Sequence, residues 1–378
     1  MKKLILFLVL TLSTQNLLAV LATPVLNFKV DGSEYVVEKV TDGHGIIWSM
    51  AFLSETKILF TEVSGKIHIL DLASGSVRTM KNPPVVFQSG QGGLLDIALH
   101  PDFKNKNWVY VTYSKKMGAR QTTAFARAKL DLAKEEFDKW TDLFVAIPLQ
   151  ATTHHYGSRI TFDKNDHVFV TVGERGQAEL AQDLKAHMGK IIRLKTDGTI
   201  PLDNPFVGRT DARPEIWTYG HRNPQGIFFD SSTDVLYAIE HGPQGGDEIN
   251  LIEKGKNYGW PVITYGQQYG GGPIGGGETA RAGMEQPLKY FTPSIAPSSF
   301  FIYRHSKLKI FKDRFVSSAL ALQHLNVIDV KDCKSACEDR LLASLDERIR
   351  SANVSPDGLI YVSSDKGRIY RIKNLGEK

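Results

Sequence analysis

The sequence predicts an all-β chain folded as a six-bladed β-propeller with loop insertions at one mouth, and three observations carry that expectation. A loose unit recurs over 46–72, 93–131, 156–198, 223–255, 294–330 and 349–372: a short apolar strand, a polar turn, a strand of aromatic and β-branched residues, and a third strand with basic residues. Unit starts lie about 47 to about 70 residues apart, so loops of different length interrupt a common core, as in a propeller rather than a sandwich. Sustained helical periodicity is missing. Only 134–142 and 179–188 read as short helices, both polar enough for the surface.

The elements follow in order. Residues 1–22 open with Lys2-Lys3, run through an apolar stretch and reach small residues at Ala19 and Ala22; this is the form of a secretory signal, too short in its apolar part to span a bilayer. Residues 23–378 are then one exported propeller domain, periplasmic or secreted, with no membrane span. The run 36–40 is placed to close the ring by completing the last blade. The last unit is the clearest, because Asp357-Gly358 separates two strand-like runs as a hairpin turn does.

Basic and acidic residues, 46 and 41 of them, are spread along the chain without a block, so nucleic acid is not an expected partner. The only cysteines, Cys333 and Cys337, fit a small-loop disulfide in an oxidising compartment or two free thiols, and are too few for a metal site.

A propeller mouth collects loop residues from every blade, so functional groups should be scattered singly through the sequence. His154-His155-Tyr156-Gly157-Ser158-Arg159 leads into a tight hairpin that ends at Gly173-Glu174-Arg175-Gly176. Such an excursion returns its ends to one sheet edge, where Glu174 can take one imidazole N–H of His155 and leave the other nitrogen free, as in an oriented general base. Histidines capping a strand beside a solvated acid fit the same spacing. Gln91 stands before glycines that permit close backbone approach, and Arg222-Asn223 sets a guanidinium beside an amide, which suits a ligand with carboxylates and carbonyls. The segment from Glu240 to Glu248 combines flexible backbone with dense carboxylates and so favours a hard cation such as calcium. Arg348 and Arg350 alternate on a strand and share a face.

Seven pieces taken together resemble the soluble quinoprotein glucose/sorbosone dehydrogenase family, nearest its periplasmic aldose sugar dehydrogenase branch. They are Gln91-Gly92-Gly93-Leu94-Leu95, His155-Tyr156-Gly157-Ser158-Arg159, Gly220-His221-Arg222-Asn223-Pro224-Gln225-Gly226, Gly242-Pro243 with Asp247-Glu248, Asn257-Tyr258-Gly259-Trp260-Pro261, Ser294-Ile295-Ala296-Pro297-Ser298 and Arg348-Ile349-Arg350. The resemblance implies a propeller that binds pyrroloquinoline quinone and calcium and oxidises C1 of an aldose to a lactone. On it, His155 matches the general base, Glu174 the carboxylate that orients it, and Arg222 the group that stabilises charge on the quinone oxygen. Gln91, Arg222, Asn223, Ser294, Arg348 and Arg350 match quinone-holding positions. Gly242 and Pro243 match carbonyls that hold the cofactor's calcium, and Glu248 and Tyr258 match ligands of a second, structural calcium. The implied partners are an aldose and an electron acceptor, and the chain is expected to be a monomer or homodimer.

Three positions depart from the family pattern: Thr292 replaces a tryptophan, 317–323 lacks a lysine, and His154 replaces an aspartate beside the base. From other classes, a non-redox, calcium-stabilised propeller that binds a glycan or protein and a metal-dependent lactone hydrolase fit the same architecture.

Overall fold

The second strand of four repeats, Lys57–Glu62, His167–Val172, Val235–Glu240 and Arg314–Ala319, has one half-buried residue followed by five buried ones. Burial without alternation means that both faces of these strands are covered. In a computed structural model that describes residues 22–329 and 338–376, this cover comes from neighbouring sheets. The expected signal segment, apart from Ala22, and the pair Cys333 and Cys337 lie outside the described residues.

Six antiparallel sheets make the six blades of a propeller. Their innermost strands, Ile47–Ser54, Leu94–Leu99, Ile160–Phe162, Pro224–Asp230, Pro297–Ile302 and Ile349–Val354, each touch the next, and the last touches the first. These strands begin at or within four residues of the unit starts, and each unit covers the first three strands of one blade, while the outer strands of blades one to five, such as Val77–Thr79 and Ile216–Tyr219, lie beyond the unit ends. The closing strand is also where expected: Ser33–Thr41 pairs with the C-terminal Ile369–Asn374, with Val36 opposite Lys373 and Val37 opposite Ile372. Arg371 and Lys373 both bind Glu38 across this seam, at 2.6 and 3.0 Å. Thr23–Val30 adds an outer strand beyond it.

The two expected helices are corrected. The segment 134–142 holds the short strand Glu136–Phe137 and the start of Thr141–Val145, both paired with the long strand Arg120–Asp131. Pairing there buries Phe137 and Phe144, which a surface helix would leave in water. In 179–188 the only helical turn is the 3-10 segment Ala178–Ala181, and Ala186, His187 and Met188 are buried rather than on the surface.

Arg159 occupies the centre of the ring and touches every other blade. Its guanidinium stacks 4.0 Å from the Trp48 ring, pairs with Asp96 at 3.2 Å, and donates to Gln225 O at 2.8 Å and to Ser298 Oγ and Arg350 O at 3.1 Å each. Burial pushes this group down to about 10, and the Asp96 carboxylate opposes that shift. Beyond it the channel widens into a cavity of about 620 Å3 at the far mouth, lined by Phe52, Leu99 and Ile302 among others.

Candidate active site at the near mouth

In an up-and-down blade the start of the first strand and the end of the second lie on one face. Gln91, His155, Arg222, Asn223, Ser294 and Arg348 lie at or just before inner strands, and Glu174, Gly242 and Pro243 just after second strands. Antiparallel geometry alone therefore gathers these positions at one mouth.

His155 has a left-handed backbone, φ 55°, and its N–H donates to Gln91 Oε1 at 2.8 Å. A side chain at Gly173 would run into His155 O at 2.1 Å, so glycine is required where the hairpin returns. The His155 Nδ1 lies 3.0 Å from both Glu174 oxygens, which places its proton on Nδ1. Nε2 has no hydrogen-bond partner among the described residues, and the side chain is 16% exposed against 3% for Glu174. Burial raises the Glu174 carboxyl, but the His155 hydrogen bond and charge, Arg222 and the Gly176 N–H outweigh it and leave the group below its ordinary range.

A chain of hydrogen bonds links this pair to the other expected residues. Glu174 N–H donates to Arg222 O at 2.8 Å, Arg222 Nη1 to Gly242 O at 2.8 Å, and Gly242 N–H to Asp247 Oδ1 at 2.9 Å. Ser294 Oγ also donates to Asp247, at 2.7 Å, and Asn223 Oδ1 accepts Gly157 N–H at 3.0 Å. Ser294 and Asn223 thus brace loops through these contacts. Arg348 and Arg350 share a face, each with Nε 2.8 Å from a different oxygen of Asp365. Half-buried His241, whose Nε2 lies 2.5 Å from Pro297 O, is held down to about 3 first by burial, then by Arg222, with His155 and Arg350 acting in the same sense.

Glu248 and Tyr258 sit apart, around a small cavity of about 10 Å3 that also reaches Glu240 and Gly242. That volume holds one water-sized sphere. Burial and the like charge of Glu240 push Glu248 up to about 8, and Glu248 forms no ion pair among the described residues, whereas Glu240 is paired with His221 at 2.9 Å. The Tyr258 hydroxyl donates to Leu251 O at 2.6 Å and accepts Glu253 N–H at 2.9 Å, which leaves its backbone carbonyl as the available ligand. Arg222 Nε is buried with no partner among the described residues, an orphan donor beside the Gly242 carbonyl. One ion-sized hole between acids and one unpaired guanidinium donor at the mouth fit a calcium ion and an anionic, carbonyl-rich cofactor.

Asp365 escaped the sequence reading, and Glu240 and Asp247 entered it only as part of a carboxylate-rich stretch; the Glu240 carboxylate in fact binds Arg222 N–H at 2.7 Å and His221 at 2.9 Å. Superposing the six units would have shown an acid at or just after the second strand in four of them, Glu62, Glu174, Glu240 and Asp365.

Comparison with known proteins agrees with the propeller fold. A family model described as glucose/sorbosone dehydrogenase matches residues 44–371. The aldose sugar dehydrogenase YliI of Escherichia coli strain K12 is 37% identical over 337 residues, covering 87% of this chain and 90% of its own. The crystal structure of the soluble aldose sugar dehydrogenase from Escherichia coli in the apo-form superposes with a TM-score of 0.86 at 35% identity, over 90% of this chain and 99% of the other. The PQQ-bound form of aldose sugar dehydrogenase from Streptomyces coelicolor gives 0.74 at 26% identity, with 90% and 99% covered.

Proposed function

The chain belongs to the glucose/sorbosone dehydrogenase family, and on that footing we propose that it is a quinoprotein oxidoreductase that converts the C1 hydroxyl of aldoses to a lactone. The observation that carries the reading is His155, with Nδ1 locked on Glu174 and Nε2 free at the mouth. Calcium-bound pyrroloquinoline quinone would supply the hydride acceptor. Gln91, Arg222, Asn223, Ser294, Arg348 and Arg350 would hold it, the Gly242 and Pro243 carbonyls would hold its calcium, and Glu248 with the Tyr258 carbonyl would hold a second calcium ion.

His155 Nε2 takes the proton of the sugar C1 hydroxyl, and Glu174 keeps the ring in the receptive tautomer and stabilises the imidazolium that results. Arg222, aimed by Glu240 and the Gly242 carbonyl, offers its positive charge where negative charge develops at the mouth. The enzyme works as an exported protein, and among the described residues no helix is long and apolar enough to cross a membrane.

The test is reconstitution of the mature protein with calcium and pyrroloquinoline quinone, followed by aldoses and an artificial electron acceptor. Bleaching of the acceptor only after reconstitution is expected. A quinone-loaded protein, verified by its absorption spectrum, that bleaches nothing with any aldose would return the fold to ligand binding or lactone hydrolysis.

A further inference from the structure

The linker between the ring-closing strand and the first blade carries His44, which the proposed reaction does not use. Its Nδ1 lies 3.7 Å from Glu62 Oε1, and the same oxygen is 3.0 Å from Nε2 of His68. The three ligand-type atoms all lie within 4.8 Å of one another. The side chains of His44, Glu62 and His68 are 13, 6 and 6% exposed, so the group is sheltered yet reachable past His44.

We propose that His44 Nδ1, Glu62 Oε1 and His68 Nε2 bind one zinc ion, with water as fourth ligand, as a staple between the closing segment and the first blade. Ligands about 2.0–2.1 Å from a tetrahedral zinc stand about 3.3 Å apart, and the two separations above bracket that value. Both outward ring nitrogens are engaged: His44 Nε2 lies 3.0 Å from Thr41 Oγ1, and His68 Nδ1 lies 3.1 Å from Thr79 Oγ1. Such outer hydrogen bonds orient metal-bound imidazoles and keep the inner lone pairs free. Ser64 Oγ donates to Glu62 Oε2 at 3.0 Å and leaves Oε1 for the ion.

A plain histidine–glutamate pair explains less. Although His68 Nε2 is close to Glu62, it is out of alignment and remains a buried nitrogen with no hydrogen-bond partner among the described residues. Phe60, fully buried, stacks on His68 at 4.9 Å and meets His44 edge-on at 5.0 Å, so neither ring can turn away cheaply. Two nitrogen donors and one carboxylate favour zinc over calcium or magnesium, which prefer all-oxygen cages. Lys66, the nearby cation, is exposed and can swing into water. Because His44 N–H also donates to Gly367 O of the last blade at 3.3 Å, an ion here ties both sides of the ring closure.

The test uses tag-free mature protein, stripped with chelator and kept in excess calcium so that the oxygen sites stay filled. Zinc is titrated against a chromophoric chelator, cobalt is substituted for its visible tetrahedral bands, and melting is followed with and without zinc. One equivalent of zinc and a higher melting temperature are expected in wild type. His44→Gln, in a half-buried linker, should weaken binding by about 10- to 100-fold while keeping the fold, and His44→Gln with His68→Gln should abolish both the cobalt bands and the zinc-dependent rise. Absence of saturable zinc binding in the folded wild type, or equal affinity in His44→Gln, would overturn the assignment.

Discussion

Blades three and four build the same pair twice. In each, a histidine in the loop before the inner strand meets a glutamate 19 positions later, at 3.0 Å for His155–Glu174 and 2.9 Å for His221–Glu240. The difference lies at the other nitrogen. His221 Nε2 is 2.9 Å from Thr218 Oγ1, its ring stacks on Tyr258 at 4.6 Å, and its side chain is fully buried. His155 Nε2 faces the mouth unpartnered. A histidine–carboxylate pair is therefore part of this fold's construction, and of these two copies it is the one with a vacant nitrogen that we propose as the base.

The comparison breaks most visibly if each histidine is removed in turn. His155→Ala should lower turnover of the reconstituted enzyme by about a hundredfold or more with nearly unchanged melting, and near-normal turnover would misassign the base. His221→Ala should do the opposite: it strands buried Glu240 and loses a stacked ring, for about 3 kcal/mol of stability in denaturant titrations. Glu174→Gln should cut turnover by about tenfold, because a neutral amide stabilises the imidazolium poorly.

The same variant has a pH signature. Glu174 ionises more readily folded than unfolded, so its contribution is present above the ordinary carboxylate pKa and is lost as pH falls through the lowered folded value. Wild type should lose stability faster than Glu174→Gln on acidification through that window; parallel curves would remove the carboxylate's role. Thr218→Val, the mildest change, frees His221 Nε2 and should cost about 1 kcal/mol while leaving turnover intact. In protein free of zinc and quinone, stripping calcium with chelator should lower melting in wild type more than in Glu248→Ala, and equal melting of wild type with and without chelator would remove the second calcium.

The apolar inner strands, the Asp357-Gly358 hairpin and the closing run 36–40 were legible because each is written in adjacent residues. The His155–Glu174 pair was legible for a related reason, since one tight hairpin joins them. The partners of the organising acids were not. Asp247 acts on Ser294, 47 positions away, and Asp365 serves two arginines from the far end of a hairpin. Short outer strands such as Val77–Thr79 and Lys289–Phe291 carry too few residues to show a period. The mistaken helix at 134–142 failed because an exposed edge of Arg120–Asp131 offered its backbone a better partner than itself.

Stacked repeats ordinarily communicate only with their neighbours, and such arrays can lose cooperativity as they lengthen. A single guanidinium reaching Trp48, Asp96, Gln225, Ser298 and Arg350 makes opposite sectors answer to one another directly. The wheel therefore has a hub, and its melting should be one concerted event: calorimetry of Arg159→Met would reveal separate shoulders if the hub is what keeps the sectors in step.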